Sequence, residues 1–237
     1  MTGMLYHDDS YLKEFEAVVT DVDPEAGTVA LDRSAFFPGG GGQPYDTGRL
    51  EFGAVSVAVT KTSRDGDRIL HHVEGQVPEV GARVTGKIDW ERRYQLMRTH
   101  SAMHVLCGVV WRDYNAQVTG GNMEPLKARM DFEFENFSAD LVHDIEEKVN
   151  VEIQNGRAIS AKVLPRQEAE QIPDLIRTKI NLLPDSLQEI RVVEIDGLDL
   201  QADGGTHVAN TKEIGTFKIV GHKSKGKINK RLKVEIQ

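Results

Sequence analysis

The chain has 237 residues, 39% of them hydrophobic, a formal net charge of −8 and one cysteine. That length suits one large domain or two small ones folding without staples, and a lone Cys107 excludes an intramolecular disulfide and fits a reducing cytoplasm. No apolar stretch approaches the roughly 18 to 20 residues a bilayer span needs, the N-terminus lacks the basic flank and apolar core of a secretory signal, and the acidic balance argues against indiscriminate affinity for phosphate backbones.

Short β-branched segments at Phe15 to Val22, Thr28 to Leu31, Val55 to Thr60, Ile69 to Val73 and Arg83 to Ile88 predict strands. Asp23-Pro24, Ala26-Gly27, Asp65-Gly66 and Glu74-Gly75 punctuate them, so residues 1–89 read as a small β-barrel. The texture changes at Trp90. Arg92 to Arg112 is apolar nearly all round, as in a helix buried in a core. In Met130 to Glu135 apolar and acidic residues alternate as in a half-buried strand. Ser138 is placed to cap a helix that carries Leu141, Ile145 and Val149 and stops at Asn155-Gly156. A short helix near Arg166 to Gln171 precedes strands at Gln188 to Glu194, Thr216 to Val220 and Arg231 to Ile236, which makes residues 90–237 an α+β domain.

Three motifs carry chemistry. His100 and His104 are four residues apart on the buried helix, so both imidazoles face one way and can share a metal ion. An isolated pair of this kind also suits an ordinary packed core, and no Glu follows His100 to supply a general base. Asp203-Gly-Gly-Thr-His207 offers a second pair of donors whose glycines allow a tight path, or else a plain turn. Together the pairs supply the three or four donors a zinc site requires; Cys107, one turn beyond His104, is a conceivable substitute. The third motif, Pro38-Gly-Gly-Gly-Gly-Gln-Pro44, fits neither a Walker loop nor a dinucleotide fingerprint. Its Gly40, Gly41 and Gly42 permit close backbone approach to a ligand, with the Gln43 amide beside them, or form a flexible hairpin loop.

In this order the motifs, LDRSAFFPGGGGQPYDTG, RRYQLMRTHSAMHVL and DLQADGGTHVANTKEIG, resemble the editing half of alanyl-tRNA synthetase and its free-standing AlaX relatives, medium class. On this resemblance the chain ends soon after the editing domain, leaving no room for the extra C-terminal tRNA-binding domain of the long class. The resemblance implies a glycine-rich β-barrel followed by an α+β editing domain similar to that of threonyl- and alanyl-tRNA synthetases. It also implies one zinc ion held by His100, His104, Asp203 and His207, and hydrolysis of mischarged tRNA(Ala), chiefly its seryl and secondarily its glycyl form. The family usually has Cys where this chain has Asp203, so that residue is either a ligand or only an orienting group. Gln43 and Thr206 are the candidate catalytic residues and readers of the serine hydroxyl, and Gly40 to Gly42 the candidate substrate contacts. Two rivals remain at this point: an editing hydrolase for another aminoacyl-tRNA, or a non-catalytic RNA-binding module with a decayed metal site. The segment Lys212 to Gln237 has eight Lys or Arg against Glu213 and Glu235, a strip suited to an acceptor stem or else a solvated hairpin.

Overall fold

The computed structural model describes residues 2–135, 137–175 and 188–237. Its backbone clusters into two compact units, Met1–Gln95 and Leu96–Gln237. The first unit begins with β1 (Gly3–Met4) and α1 (Leu5–Asp8), followed by β2 (Glu14–Asp23), β3 (Thr28–Leu31), β4 (Arg33–Ser34), β5 (Gly48–Phe52), β6 (Val55–Asp65), β7 (Arg68–Glu74) and β8 (Arg83–Ile88). Six of these strands close a barrel in the order β2-β3-β7-β6-β5-β8, and β1 pairs with β4. Alternation explains the closure. In β2, Phe15, Ala17 and Val19 are buried while Glu14, Glu16 and Val18 face outward, and the inward set packs with Leu31, Leu50, Val59, Val73 and Val84 in one apolar cluster. A closed barrel leaves no strand edge to template aggregation.

The loop between β4 and β5 is built around the glycines. Gly40 and Gln43 pair reciprocally across Gly41-Gly42, whose φ values of 58° and 91° make the tight turn that non-glycine residues resist. The loop base is clamped: Phe37 N–H donates to Asp46 Oδ2 at 2.6 Å and Asp46 N–H donates back to Phe37 O at 2.9 Å. Arg93, fully buried, binds the Asp46 carboxylate and donates to Ala35 O at 2.5 Å and Ser10 O at 2.9 Å. Such a buried pair is viable only because further hydrogen bonds complete it.

A helix, α2 (Trp90–Tyr114), follows, and every residue in it from Thr99 to Val110 is buried. After it come β9 (Val118–Glu124), β10 (Lys127–Glu133), α3 (Ala139–Gln154), β11 (Ile159–Pro165), α4 (Arg166–Ala169), β12 (Glu189–Ile195), β13 (Asp199–Ala202), a 3₁₀ turn (Thr211–Ile214), β14 (Phe217–Ser224) and β15 (Asn229–Ile236). They form two antiparallel sheets, ordered β14-β15-β10-β9 and β11-β12-β13. Ser138 caps α3 as the sequence implies, its Oγ accepting from Leu141 N–H. No helix among the described residues is long and apolar enough to cross a membrane. The architecture is therefore α+β with a small closed barrel, as expected.

Candidate metal centre

The sequence pairs converge. One donor atom from each of His100, His104, Asp203 and His207 lies within 4.8 Å of the others. Helical spacing brings the first two together with ring centroids 5.1 Å apart, and the His207 ring stacks on His100 at 4.2 Å. Asp203 sits among them, with Oδ1 3.5 Å from His100 Nε2 and Oδ2 3.0 Å from His207 Nε2. All three histidines are less than 8% exposed.

The segment bearing Asp203 and His207 follows β13 and is fixed by a web of hydrogen bonds. Gly205 N–H donates to Asp203 Oδ2 at 2.7 Å, which tightens the turn. The Arg191 guanidinium reaches across from β12 and donates to the carbonyls of Asp203 and Gly205, both at 3.0 Å. Ser101, on the helix between His100 and His104, accepts Val208 N–H at 3.2 Å and lies 3.1 Å from His207 Nδ1. Asp199, the first residue of β13, places Oδ2 3.1 Å from His104 Nδ1 and accepts from Gln201 Nε2 at 2.7 Å. The close approach depends on Gly108, one turn beyond His104, where a Cβ would stand 2.9 Å from Leu198 Cγ and 3.2 Å from Asp199 Cβ.

Protonation follows from this packing. Burial pushes His100 well below its ordinary range despite the Asp203 carboxylate, helped by the neighbouring His207 and His104. Burial likewise takes His207 down to about 4, against its hydrogen bond to the Asp203 carboxylate. At His104 burial also opposes the charged form, but the hydrogen bond and charge of Asp199 outweigh it and raise the imidazole. Burial would raise Asp203, yet the adjoining His100 and His207 more than offset it and hold the carboxyl well below the usual range. His100 and His207 are thus held neutral beside an ionised Asp203 carboxylate, the state in which these groups bind a metal, while His104 shares its charge with Asp199. Three nitrogens and one oxygen, nearly dry and tightly gathered, fit a transition ion such as zinc.

Other sequence candidates are placed as follows. Thr206 is fully buried within the Asp203–His207 segment. Gln43 belongs to the barrel unit, where it is 3% exposed, while Gly40, Gly41 and Gly42 are exposed on their turn. Cys107 stands outside the four-residue cluster, its Sγ 3.5 Å from Met130 Sδ. Sequence reasoning missed Asp199, Ser101, Arg191 and Gly108. The last was visible as the third member of a stripe, His100, His104, Gly108, with a spacing of four throughout.

Residues 190–233 match the family model described as "Threonyl and Alanyl tRNA synthetase second additional domain", and residues 6–92 match that described as "tRNA synthetases class II (A)". Over the whole chain, the alanyl-tRNA editing protein AlaX-M of Saccharolobus solfataricus is 41% identical across 237 residues, 98% of each chain. That of Methanosarcina acetivorans is 40% identical across 241 aligned residues, again 98% of each. An alanine–tRNA ligase of Pyrobaculum neutrophilum is 38% identical over 225 residues, which are 92% of this chain but 25% of that enzyme. Likeness at this level, end to end, together with the convergent cluster, makes the chain a member of the AlaX-M family of alanyl-tRNA editing proteins.

Proposed function

We propose that this protein deacylates mischarged tRNA(Ala), chiefly Ser-tRNA(Ala) and secondarily Gly-tRNA(Ala), with one zinc ion held by His100, His104, His207 and Asp203. The observation that carries the reading is the gathering of three buried histidines and the half-buried Asp203, within 4.8 Å of one another, from two distant stretches of chain. A zinc ion bound there would polarise the ester carbonyl and make water a better nucleophile at neutral pH. The chain's own residues set the rest. Asp199 holds the His104 ring through Nδ1, which leaves Nε2 directed elsewhere. Ser101 and Asp203 hold the two nitrogens of His207 from opposite sides. Asp203, which already accepts Gly205 N–H through Oδ2, is the donor we assign as exchangeable, since four permanent protein ligands would close the centre to substrate.

We further assign Gln43 and Thr206 as catalytic residues, one or the other reading the serine hydroxyl, and the exposed Gly40, Gly41 and Gly42 as substrate contacts. A second sieve of this kind is physically reasonable, because a pocket made for alanine cannot strongly reject a side chain that merely adds a hydroxyl. The division of labour we propose is a barrel domain over 1–89 and a metal-binding editing domain over 90–237, acting in the cytoplasm on tRNA charged elsewhere. The test is to incubate the protein with a panel of mischarged tRNAs, with metal content measured in parallel. Release of serine from tRNA(Ala), lost in His104→Ala together with the metal, is the expected result. Full activity in rigorously metal-free protein, or release of serine from threonine tRNA in preference, would overturn it. Should Gln43→Ala and Thr206→Ala both keep the preference for seryl over alanyl ester, neither residue reads the hydroxyl.

A further inference from the structure

The eight cations between Lys212 and Gln237 do not form one strip. Lys230 is 7% exposed and its Nζ donates to Ser224 Oγ, Gly226 O and Lys227 O, all within 3.0 Å, so it serves as an internal brace of the β14–β15 hairpin. Lys218 leans toward Glu146, 3.4 Å away. The cations that do gather lie on the outer face of the β14-β15-β10-β9 sheet, and one of them, Arg129, comes from β10, outside the basic segment. Strand register puts Arg129 directly opposite Lys233, and Arg231 directly opposite both Asp131 and Lys223. Alternation keeps Arg129 and Asp131 on the same side of β10, and Arg231 and Lys233 on the same side of β15. The opposite side carries Phe132, Leu232 and Val234, which are buried.

One carboxylate serves three of these cations. Asp131, 5% exposed, accepts two bonds from Arg231 at 2.7 and 2.8 Å, and has Lys225 at 3.4 Å and Arg129 at 3.8 Å. Lys223 and Lys233 are exposed beside it. Five cations surround Asp131, and even with Glu133 and Glu235 on the same side of their strands toward the ends the face stays net positive on a chain whose net charge is −8. Like charges directly opposed across strands destabilise a sheet, so folding alone does not explain Arg129 facing Lys233 or Lys223 facing Arg231. The surface is also low: Gly120 stands opposite Asp131 with open space where a side chain would be, and the Lys233 stem passes beside Gly221.

We propose that this sheet face, centred on Arg129, Lys223, Lys225, Arg231 and Lys233, is the surface that docks the phosphate backbone of a tRNA helix. The proposal rests on the editing reading for its choice of polyanion and deepens it by naming where the RNA sits. Asp131 acts as a positioning residue that fixes the Arg231 fork without neutralising the patch.

The experiment compares binding of uncharged tRNA(Ala) across a salt series by the wild-type protein, by the triple variant Arg129→Ala/Lys223→Ala/Lys233→Ala, and by a control triple on the barrel, Arg49→Ala/Lys61→Ala/Arg83→Ala. Each phosphate contact contributes about 0.9 to the slope of log affinity against log salt. The sheet variant should therefore lose about two to three from that slope and bind more than tenfold more weakly at moderate salt, whereas the barrel variant keeps both. Thermal unfolding guards against misfolding: the sheet variant, relieved of opposed like charges, should melt no lower than wild type. A slope unchanged in the sheet variant, or equally reduced in the barrel variant, would overturn the proposal. So would loss of binding to phosphatidylserine vesicles in the sheet variant with tRNA affinity intact. Deacylation of Ser-tRNA(Ala) by the wild type is measured alongside. Its absence would sink the editing reading, while its presence with an unchanged slope would sink only the docking face.

Discussion

Asp199 is where the metal reading can be tested most sharply without touching a ligand. Its carboxylate, 4% exposed, lies 3.1 Å from His104 Nδ1 and so fixes which nitrogen of that ring carries the proton. Asp199→Asn keeps the shape and removes the charge. A charge-assisted hydrogen bond is roughly twice as strong as a neutral one, and removing the outer partner of a ligand histidine typically weakens metal binding about 10- to 100-fold. That factor corresponds to about 1.4 to 2.7 kcal/mol, and the same amount should vanish from the stabilisation that saturating zinc confers on the fold. Two assays read it: competition for zinc against a chromophoric chelator, and the metal-induced rise in melting temperature at fixed zinc. Zinc affinity within twofold of wild type, with the metal-induced rise intact, would refute the argument that Asp199 acts through His104.

Three further outcomes follow from the packing. Gly108→Ala should stabilise an isolated helix by about 1 kcal/mol, but its Cβ meets the Leu198–Asp199 segment at 2.9 to 3.2 Å. Overpacking of about 1 to 3 kcal/mol should win, giving a lower melting temperature and weaker zinc binding; a rise in both would show that the approach is not tight. Arg93→Ala should cost about 3 to 5 kcal/mol by leaving the Asp46 carboxylate buried without its cation, and the double variant Arg93→Met/Asp46→Leu should recover much of that in chemical denaturation. Equal stability of the single and double variants would contradict it. His71 is fully buried in the barrel, with Ser34 Oγ 2.8 Å from Nε2 and Val29 O 3.0 Å from Nδ1, and burial lowers it from 6.5 to about 4. Because the folded value lies below the unfolded one, its contribution is complete above pH 6.5 and disappears as the pH falls toward 4, about 3 kcal/mol in all. The stability difference between wild type and His71→Leu should shrink over that window, and a pH-independent difference would rule the effect out.

Much of this molecule is legible in its sequence, and the illegible parts share a cause. Runs of β-branched residues between turn dipeptides announced β2, β3, β6, β7 and β8. The strand β9 carries little strand signal because Gly120-Gly121 interrupt it, and β11, with Ile159 to Pro165 mostly exposed and ending in proline, has no apolar face to signal. The four residues of β13 are too few to show a period. Each is recognised as a strand only through its partner's register, which is non-local information. The metal cluster was visible because its spacings are local, four along a helix and four around a glycine turn. Asp199 was invisible because nothing near it in the chain says that β13 will close on α2. Arg93 misleads for the opposite reason: a guanidinium in the first turn of a helix suggests solvent, whereas this one ends up wholly buried against Asp46.

The oxygen donor at position 203 also changes what the centre can survive. A cluster of three imidazoles and a carboxylate contains no sulfur, so peroxide and alkylating reagents find no thiolate to attack among its donors. The chain's one thiol, Cys107, is 6% exposed and faces Met130. If the four groups hold a metal, as proposed, oxidative stress that would strip a thiolate-bound ion should leave it in place.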